Sequence, residues 1–163
     1  MAKNTKDKTE KTNAMRMLDQ AGIEYVKHET DQGEGLTGVQ IAALLDEPVD
    51  QVYKTLVTVG KSGEHYVFII PVASELDLKK AAQAVGEKNI EMIKSKELLP
   101  LTGYIHGGCS PIGMKKFFKT TIDETAELYD TIYVSGGRVG LQVELAFEDL
   151  KKVVEMGIED LTK

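Results

Sequence analysis

Apolar positions that recur every three or four residues predict several short amphipathic helices along the chain. The first spans residues 13–21, with Asn13 as a candidate N-cap and Gly22 as its stop. A second begins after Thr37 and runs through Leu45. The same spacing predicts three later helices, at 76–85, 95–99 and 147–155.

Alternating apolar and polar positions predict strands between these helices. The clearest pair covers 51–59 and 64–72, which are joined by Gly60-Lys-Ser-Gly63, a composition typical of a β-hairpin. Shorter strands are predicted at 23–28, 90–93, 102–106, 111–114, 119–122, 131–135 and 140–145. Many short strands without strict βαβ alternation indicate an α+β fold with a mixed or mostly antiparallel sheet.

The length and composition indicate one domain. The chain has 163 residues, of which 42% are hydrophobic, enough for a single core. Residues 1–12 are rich in Lys, Thr and Asn, so we expect a frayed or disordered tail followed by one domain over 13–163. No apolar run approaches the roughly 20 residues of a membrane span, and we expect no membrane association.

The ionisable and sulfur-containing residues narrow the chemistry. Cys109 is the sole cysteine, which excludes an internal disulfide and suits a reducing, cytoplasmic location. The three histidines are scattered, so we expect no metal. Gly136-Gly-Arg138 lacks the spacing of a phosphate-binding loop, so we expect no nucleotide cofactor.

The net charge of −6 argues against a general nucleic-acid binder, but the basic residues are unevenly distributed. Several lie in the middle and late chain and could form a basic face for a tRNA end: Lys79, Lys80, Lys94, Lys96, Lys115, Lys116, Lys119 and Arg138. The alternative is that these side chains only solvate the surface.

The segment 102–113 contains four glycines, a proline and a serine. Adjacent glycines at Gly107 and Gly108 expose peptide groups, which could hold a carbonyl or an oxyanion. Glycine clusters more often form structural corners, so both interpretations stay open on spacing alone.

Lys54 interrupts an apolar strand face that also carries Val52 and Leu56. We expect its charge to be partly desolvated, which favours an anionic or carbonyl partner. The alternative is a lysine whose head group extends to solvent.

Three motifs together resemble the YbaK/EbsC family. They are VYKTL at 52–56, TGYxxGGxSPxGxKK at 102–116 and YVSGGxxGL at 133–141. The family consists of free-standing aminoacyl-tRNA deacylases related to the editing domain inserted in bacterial prolyl-tRNA synthetases. The resemblance spans roughly residues 13–160.

This resemblance implies a compact, curved, barrel-like sheet flanked by helices, and an enzyme that clears mischarged Cys-tRNA(Pro) in trans. It assigns Lys54 to the 3′-terminal nucleotide and the ester, and Gly107 and Gly108 to the backbone wall of the aminoacyl pocket. Ser135 matches a position that faces the pocket, although the residues alone favour a turn serine that bonds its own backbone. Cys109 stands at a variable position of the motif, and we interpret it as a packing residue.

The implied partner is the 3′ end of an aminoacyl-tRNA, with prolyl-tRNA synthetase as a candidate second partner. The resemblance also implies that the cysteinyl thiol attacks its own carbonyl, which would make the enzyme a lyase rather than a hydrolase. Two positions depart from the family pattern: Thr30 replaces an aromatic residue and Gln142 an acid. Deacylation of another small amino acid, such as Ala-tRNA(Pro), and a non-catalytic regulatory role are the alternatives.

Overall fold

The computed structural model describes residues 10–163. Its helices are α1 (Asn13–Gln20), α2 (Gly38–Leu44), α3 (Leu78–Val85), α4 (Ser95–Thr102) and α5 (Phe147–Val153). Its strands are β1 (Val26–Glu29), β2 (Tyr53–Gly60), β3 (His65–Pro71), β4 (Ile90–Met92), β5 (Lys119–Asp123), β6 (Thr131–Ser135), β7 (Leu141–Ala146) and β8 (Met156–Glu159). Two 3₁₀ turns cover Val49–Gln51 and Glu124–Leu128.

The strands form two sheets. One is antiparallel with the order β1-β7-β6, and the other is mixed with the order β4-β2-β3-β5-β8, in which β5 runs parallel to β3 and β8. A parallel bridge between Val52 and Tyr133 joins β2 to β6. The predicted α+β class with a mixed sheet is confirmed, although the two sheets do not close into a barrel.

The main core contains apolar side chains from both sheets, together with α1 and α5. It includes Leu18, Ile69, Ile122, Val143 and Leu150, each with an exposed fraction of 0%. Burial of such side chains contributes about 1.5–3 kcal/mol each and is the dominant stabilising contribution. A second cluster lies between α3 and the opposite face of the five-stranded sheet. A third, small cluster lies where α2 covers the junction of the sheets.

Local sequence signals explain several helix ends. The Thr37 hydroxyl accepts a hydrogen bond from the Gln40 N–H at 3.1 Å, and the Gln40 side chain accepts one from the Thr37 N–H at 2.9 Å. This reciprocal capping box confirms the predicted start of α2. Gly86 ends α3 in the left-handed conformation, also as predicted.

Several predicted elements are wrong in detail. The predicted strands at 102–106 and 111–114 are wrong: Thr102 ends helix α4, and the other residues form turns and irregular loop. The positive-φ residues Gly103 and Gly113 interrupt extended pairing there. Helix α4 continues past Pro100 to Thr102, whose hydroxyl donates to the Leu98 carbonyl at 2.8 Å in the last turn. Strand β8 was not predicted, because its pairing with β5 joins segments more than 30 residues apart in sequence.

The N-terminal prediction needs a correction where the structure describes it. Residues 1–9 of the predicted tail lie outside the described residues. Thr12, assigned to the same tail, instead caps α1 in place of Asn13, and its hydroxyl donates to the Gly136 carbonyl at 2.5 Å. The Glu10 carbonyl accepts a hydrogen bond from Arg138 at 2.9 Å. These contacts tie the entrance of α1 to the loop after β6.

Across residues 10–163, no helix is long and apolar enough to cross a membrane. Nor does that range bring together three or more His, Cys, Asp or Glu side chains that could hold a metal ion.

Candidate active site

The three-stranded sheet carries polar side chains on one of its faces. Its register pairs Gln142 with both Ser135 and His28, and it pairs Glu144 with Tyr133. Because side chains alternate between the faces of a strand, these five residues share a face. The opposite face supplies the main core through Ile132, Val134, Val143 and Leu145.

Lys54 lies where this polar face meets the five-stranded sheet. The parallel bridge aligns Val52 with Tyr133, and two residues further along each strand are Lys54 and Ser135. The Lys54 side chain is half-buried, and this burial lowers the pKa of its ammonium group, while the charge of Glu75 partly opposes the effect. Because water hydrates the Lys54 ammonium group only in part, its charge favours binding of an anion or a carbonyl oxygen.

Gly107 presents a peptide group at the surface. It is exposed, with a φ of 86°, which favours glycine. Within residues 10–163, its N–H donates to no backbone or side-chain acceptor. The Gly107 N–H is therefore free to bond a ligand oxygen.

Gly108 has a different environment. It is buried, and its N–H donates to the Ile105 carbonyl at 2.9 Å. A Cβ on Gly108 would lie 2.8 Å from the Cα of Arg138, too close for any other residue. Packing against the loop after β6 therefore explains why glycine is required here, and no ligand is needed for that explanation. The Gly108 N–H is already hydrogen-bonded within the turn.

Ser135 and Thr30 both bond neighbouring backbone. The Ser135 hydroxyl accepts a hydrogen bond from the Gly137 N–H at 3.2 Å, the bond expected of a turn serine. The Thr30 hydroxyl accepts one from the Gln32 N–H at 3.1 Å, while the Thr30 N–H donates to the Gly140 carbonyl at 2.9 Å. Both hydroxyls keep their own hydrogen for another acceptor.

The loop 136–140 brings the predicted residues to one end of the polar face. Ser135 leads directly into this loop, Gly108 packs against its Arg138, and Thr30 bonds its Gly140. Lys54 is aligned with Ser135 across the strand junction. The five residues that the sequence singled out therefore come from four separate segments. Four of them border one loop, namely Thr30, Gly107, Gly108 and Ser135, and Lys54 is aligned with Ser135.

An ionisable cluster on the same face was not predicted from the sequence. His28 Nε2 lies 3.0 Å from Glu144 Oε1, and the rings of His28 and Tyr133 are 5.3 Å apart. Glu47 has an exposed fraction of 8% and interacts electrostatically with both His28 and Glu144. Burial raises the pKa of Glu47 to about 7, helped by Glu144 and opposed by His28.

Cys109 is buried, and burial raises the pKa of its thiol to about 12. A thiol with this pKa is not ionised near neutral pH and is a poor nucleophile. The prediction that Cys109 is a packing residue is confirmed.

Comparison with known proteins points to one family. Residues 34–153 match the family model described as the aminoacyl-tRNA editing domain. An Enterococcus faecalis protein, EbsC, is 45% identical over 96% of this chain and 97% of its own length. Its name proposes deacylation of Cys-tRNA(Pro) and Cys-tRNA(Cys). A proline–tRNA ligase of Thermosipho africanus is 29% identical over 47% of this chain but only 14% of the ligase.

Solved structures share the fold. One is described as a proposed trans-editing enzyme for prolyl-tRNA synthetase, with a TM-score of 0.81 and 25% identity over 95% of this chain and 99% of that chain. Another, of a hypothetical protein, has a TM-score of 0.84 at 20% identity, covering 93% of this chain and 100% of that chain. The second similarity shows the fold alone.

Proposed function

Because the chain belongs to the aminoacyl-tRNA editing domain family, we propose that it is a trans-acting deacylase that cleaves the aminoacyl ester of mischarged Cys-tRNA(Pro). The observation that carries this proposal is Lys54, a half-buried cation at the junction of the two sheets, beside the polar face. In this proposal the protein acts in the cytoplasm, and the 3′ end of the tRNA enters at the loop 136–140.

Lys54 and Gly107 have separate roles in this scheme. The Lys54 ammonium holds the phosphate or ribose oxygens of the terminal nucleotide, because a partly desolvated cation gains more from an anion than a solvated one does. The free Gly107 N–H donates to the ester carbonyl oxygen, where negative charge develops in the transition state. Ser135 and Thr30 flank the aminoacyl group, and Gly108 shapes the turn that presents Gly107.

The cysteinyl group supplies the nucleophile. Its thiolate sulfur attacks its own ester carbonyl, a C–S bond forms, and the bond between that carbon and the ribose oxygen breaks. The ribose oxygen takes up the proton that the thiol loses, and the product is a thiolactone that water later opens. The support from the structure is that neither Cys109 nor Ser135 is placed as an activated protein nucleophile.

A second candidate function is deacylation of Ala-tRNA(Pro). Thr30 supports it, because a small side chain in place of an aromatic residue leaves the pocket less closed, which broadens or shifts the substrate preference. An Ala ester carries no thiol, so its cleavage needs a water molecule instead. Prolyl-tRNA synthetase is the corresponding candidate partner in either case.

The test is a panel of three substrates on the same tRNA(Pro), carrying cysteine, alanine or proline. We expect fast release from Cys-tRNA(Pro) and slow release from the other two. Faster release from Ala-tRNA(Pro) would establish the second candidate. Binding of all three without release of any amino acid would overturn the enzymatic proposal and favour a regulatory protein.

A further inference from the structure

Two buried side chains on the polar face carry acceptor oxygens that have no hydrogen-bond partner in the described part of the protein. Both carboxylate oxygens of Glu47 and the side-chain oxygen of Gln142 lack a hydrogen bond within residues 10–163. Their residues have exposed fractions of 8% and 9%. Buried polar atoms are nearly always bonded, and an unpaired buried carboxylate is especially costly. The natural partner for both is a group rich in N–H or O–H donors.

The surrounding residues favour a small cation as that partner. Glu47 reaches the cluster from the segment after α2, while Gln142 and Glu144 lie two residues apart on β7 and share a face. Glu144 already contacts His28, which leaves Glu47 as the carboxylate without a partner. A metal ion is disfavoured, because no set of three suitable ligands converges anywhere in residues 10–163.

The position of the acceptors along the face suggests which cation. Gln142 pairs directly with Ser135, which is aligned with Lys54 across the strand junction. The polar face therefore has a positive charge at Lys54, and the unpaired acceptor oxygens of Glu47 and Gln142 lie further from the junction of the two sheets. The end of an aminoacyl-tRNA has the complementary order, with anionic phosphate and polar ester oxygens followed by the α-ammonium group of the amino acid.

We propose that Glu47, assisted by the side-chain oxygen of Gln142, forms a subsite for the α-ammonium group of the aminoacyl ester. This inference rests on the proposed function. An ammonium group has three donors, as many as the unpaired oxygens of Glu47 and Gln142. In this role Glu47 is a specificity residue: it favours esters of free amino acids and disfavours N-acylated or peptidyl esters, whose amide nitrogen carries no charge.

The experiment compares Cys-tRNA(Pro) with N-acetyl-Cys-tRNA(Pro), in which an added acetyl group removes the charge and all but one of the N–H donors of the α-nitrogen. The wild-type protein is expected to prefer the free amino acid by about 10- to 100-fold in kcat/KM, the range of a charge-assisted hydrogen bond. Glu47→Gln should remove most of this preference by slowing the free substrate alone. Glu47→Asp should keep part of it, because the charge remains.

The matched control is Glu91→Gln, the same change at an exposed position on the edge strand β4, which should leave the preference unchanged. Equal loss on both substrates in Glu47→Gln would mean a structural role and would overturn the subsite. An unchanged preference for the free amino acid in Glu47→Gln would also overturn the subsite. Absence of deacylation by the wild-type protein on either substrate would instead refute the proposed function itself. Thermal unfolding of each variant shows whether it is folded.

Discussion

At the scale of single residues, Lys54 combines a functional advantage with a cost in stability. Burial lowers its pKa, which means that the folded protein disfavours the charged form that it carries at neutral pH. Lys54→Met should therefore be at least as stable as the wild-type protein at pH 7, while kcat/KM for Cys-tRNA(Pro) falls by about 100-fold or more. Thermal unfolding and deacylation measured on one preparation check both parts. Near-wild-type turnover would show that Lys54 is a solvated surface residue.

Glu47 should make stability depend on pH in the opposite direction from a paired carboxylate. Its pKa is raised from 4.5 to about 7, so the folded state binds a proton that the unfolded state has already lost. The unfolding free energy should therefore fall as pH rises from about 4.5 to 7, by up to roughly 3 kcal/mol. Glu47→Gln removes this loss, so the variant should gain stability relative to wild type at pH 8 but not at pH 4.5. Denaturant unfolding at both pH values is the measurement, and an equal difference at each would contradict the assignment.

At the scale of elements, the two adjacent glycines of the turn 105–108 have different roles. Gly107→Ala places a Cβ at ordinary contact distance from Val139 but at a φ of 86°, so it should cost about 1 kcal/mol of stability. Gly108→Ala pushes a Cβ into the backbone of Arg138 and should cost more. Gly107→Val should lower turnover in a protein that still folds, since the side chain crowds the free N–H. Normal turnover per folded molecule in Gly107→Val would remove Gly107 from the site.

Elements with local causes could be predicted from the sequence, and elements with distant causes could not. The cap at Thr37 and the hairpin turn at Gly60 are encoded within a few residues, and the sequence predicts both. Strand β8 depends on pairing with β5, and its short, weakly apolar sequence gives no local signal. The glycine-rich segment 102–113 contains apolar residues that suggest strands. Its positive-φ glycines turn the chain too often for β-strand pairing.

The same distinction applies to the site. Lys54 is visible in the sequence because a charge interrupts an alternating strand. Glu47 is not, because it becomes buried only when the chain folds and places it near Tyr133 of β6 and Glu144 of β7. Its flanking Asp46 and Pro48 suggest an exposed turn, so no pattern marks this one carboxylate as buried. The alignment of Lys54 with Ser135 likewise depends on a junction between two sheets.

At the scale of the whole molecule, the basic residues do not act as one set. Lys80 pairs with Asp160 and Arg138 with Glu29, so two members of the predicted basic face are neutralised. Within residues 10–163, no ion pair engages Lys116 or Lys119, and Phe117 between them has an exposed fraction of 69%. This basic and aromatic segment, 115–119, is the best candidate in the described chain for contact with tRNA outside the site.

Replacing Lys116 and Lys119 by alanine should weaken tRNA binding and raise KM, with little effect on kcat. Each lost phosphate contact should reduce the slope of log K against log salt by about 1. Lys88→Ala, at an exposed position after α3, is the control. Binding measured from low to moderate salt gives the slope, and an unchanged slope in the double variant would place the tRNA elsewhere.

In the proposed mechanism, the protein positions an activated ester and supplies no nucleophile of its own. The decisive experiment compares the deacylation rates of Cys-tRNA(Pro) and Ser-tRNA(Pro), whose aminoacyl side chains are nearly equal in size. A free thiol with a pKa near 8.5 is a few per cent ionised at neutral pH, whereas a hydroxyl is essentially never ionised. We expect far faster deacylation of Cys-tRNA(Pro), with thiolactone as the first product. Equal rates, with free amino acid released from both, would contradict it and would indicate attack by water, with His28 and its partner Glu144 as the base to examine.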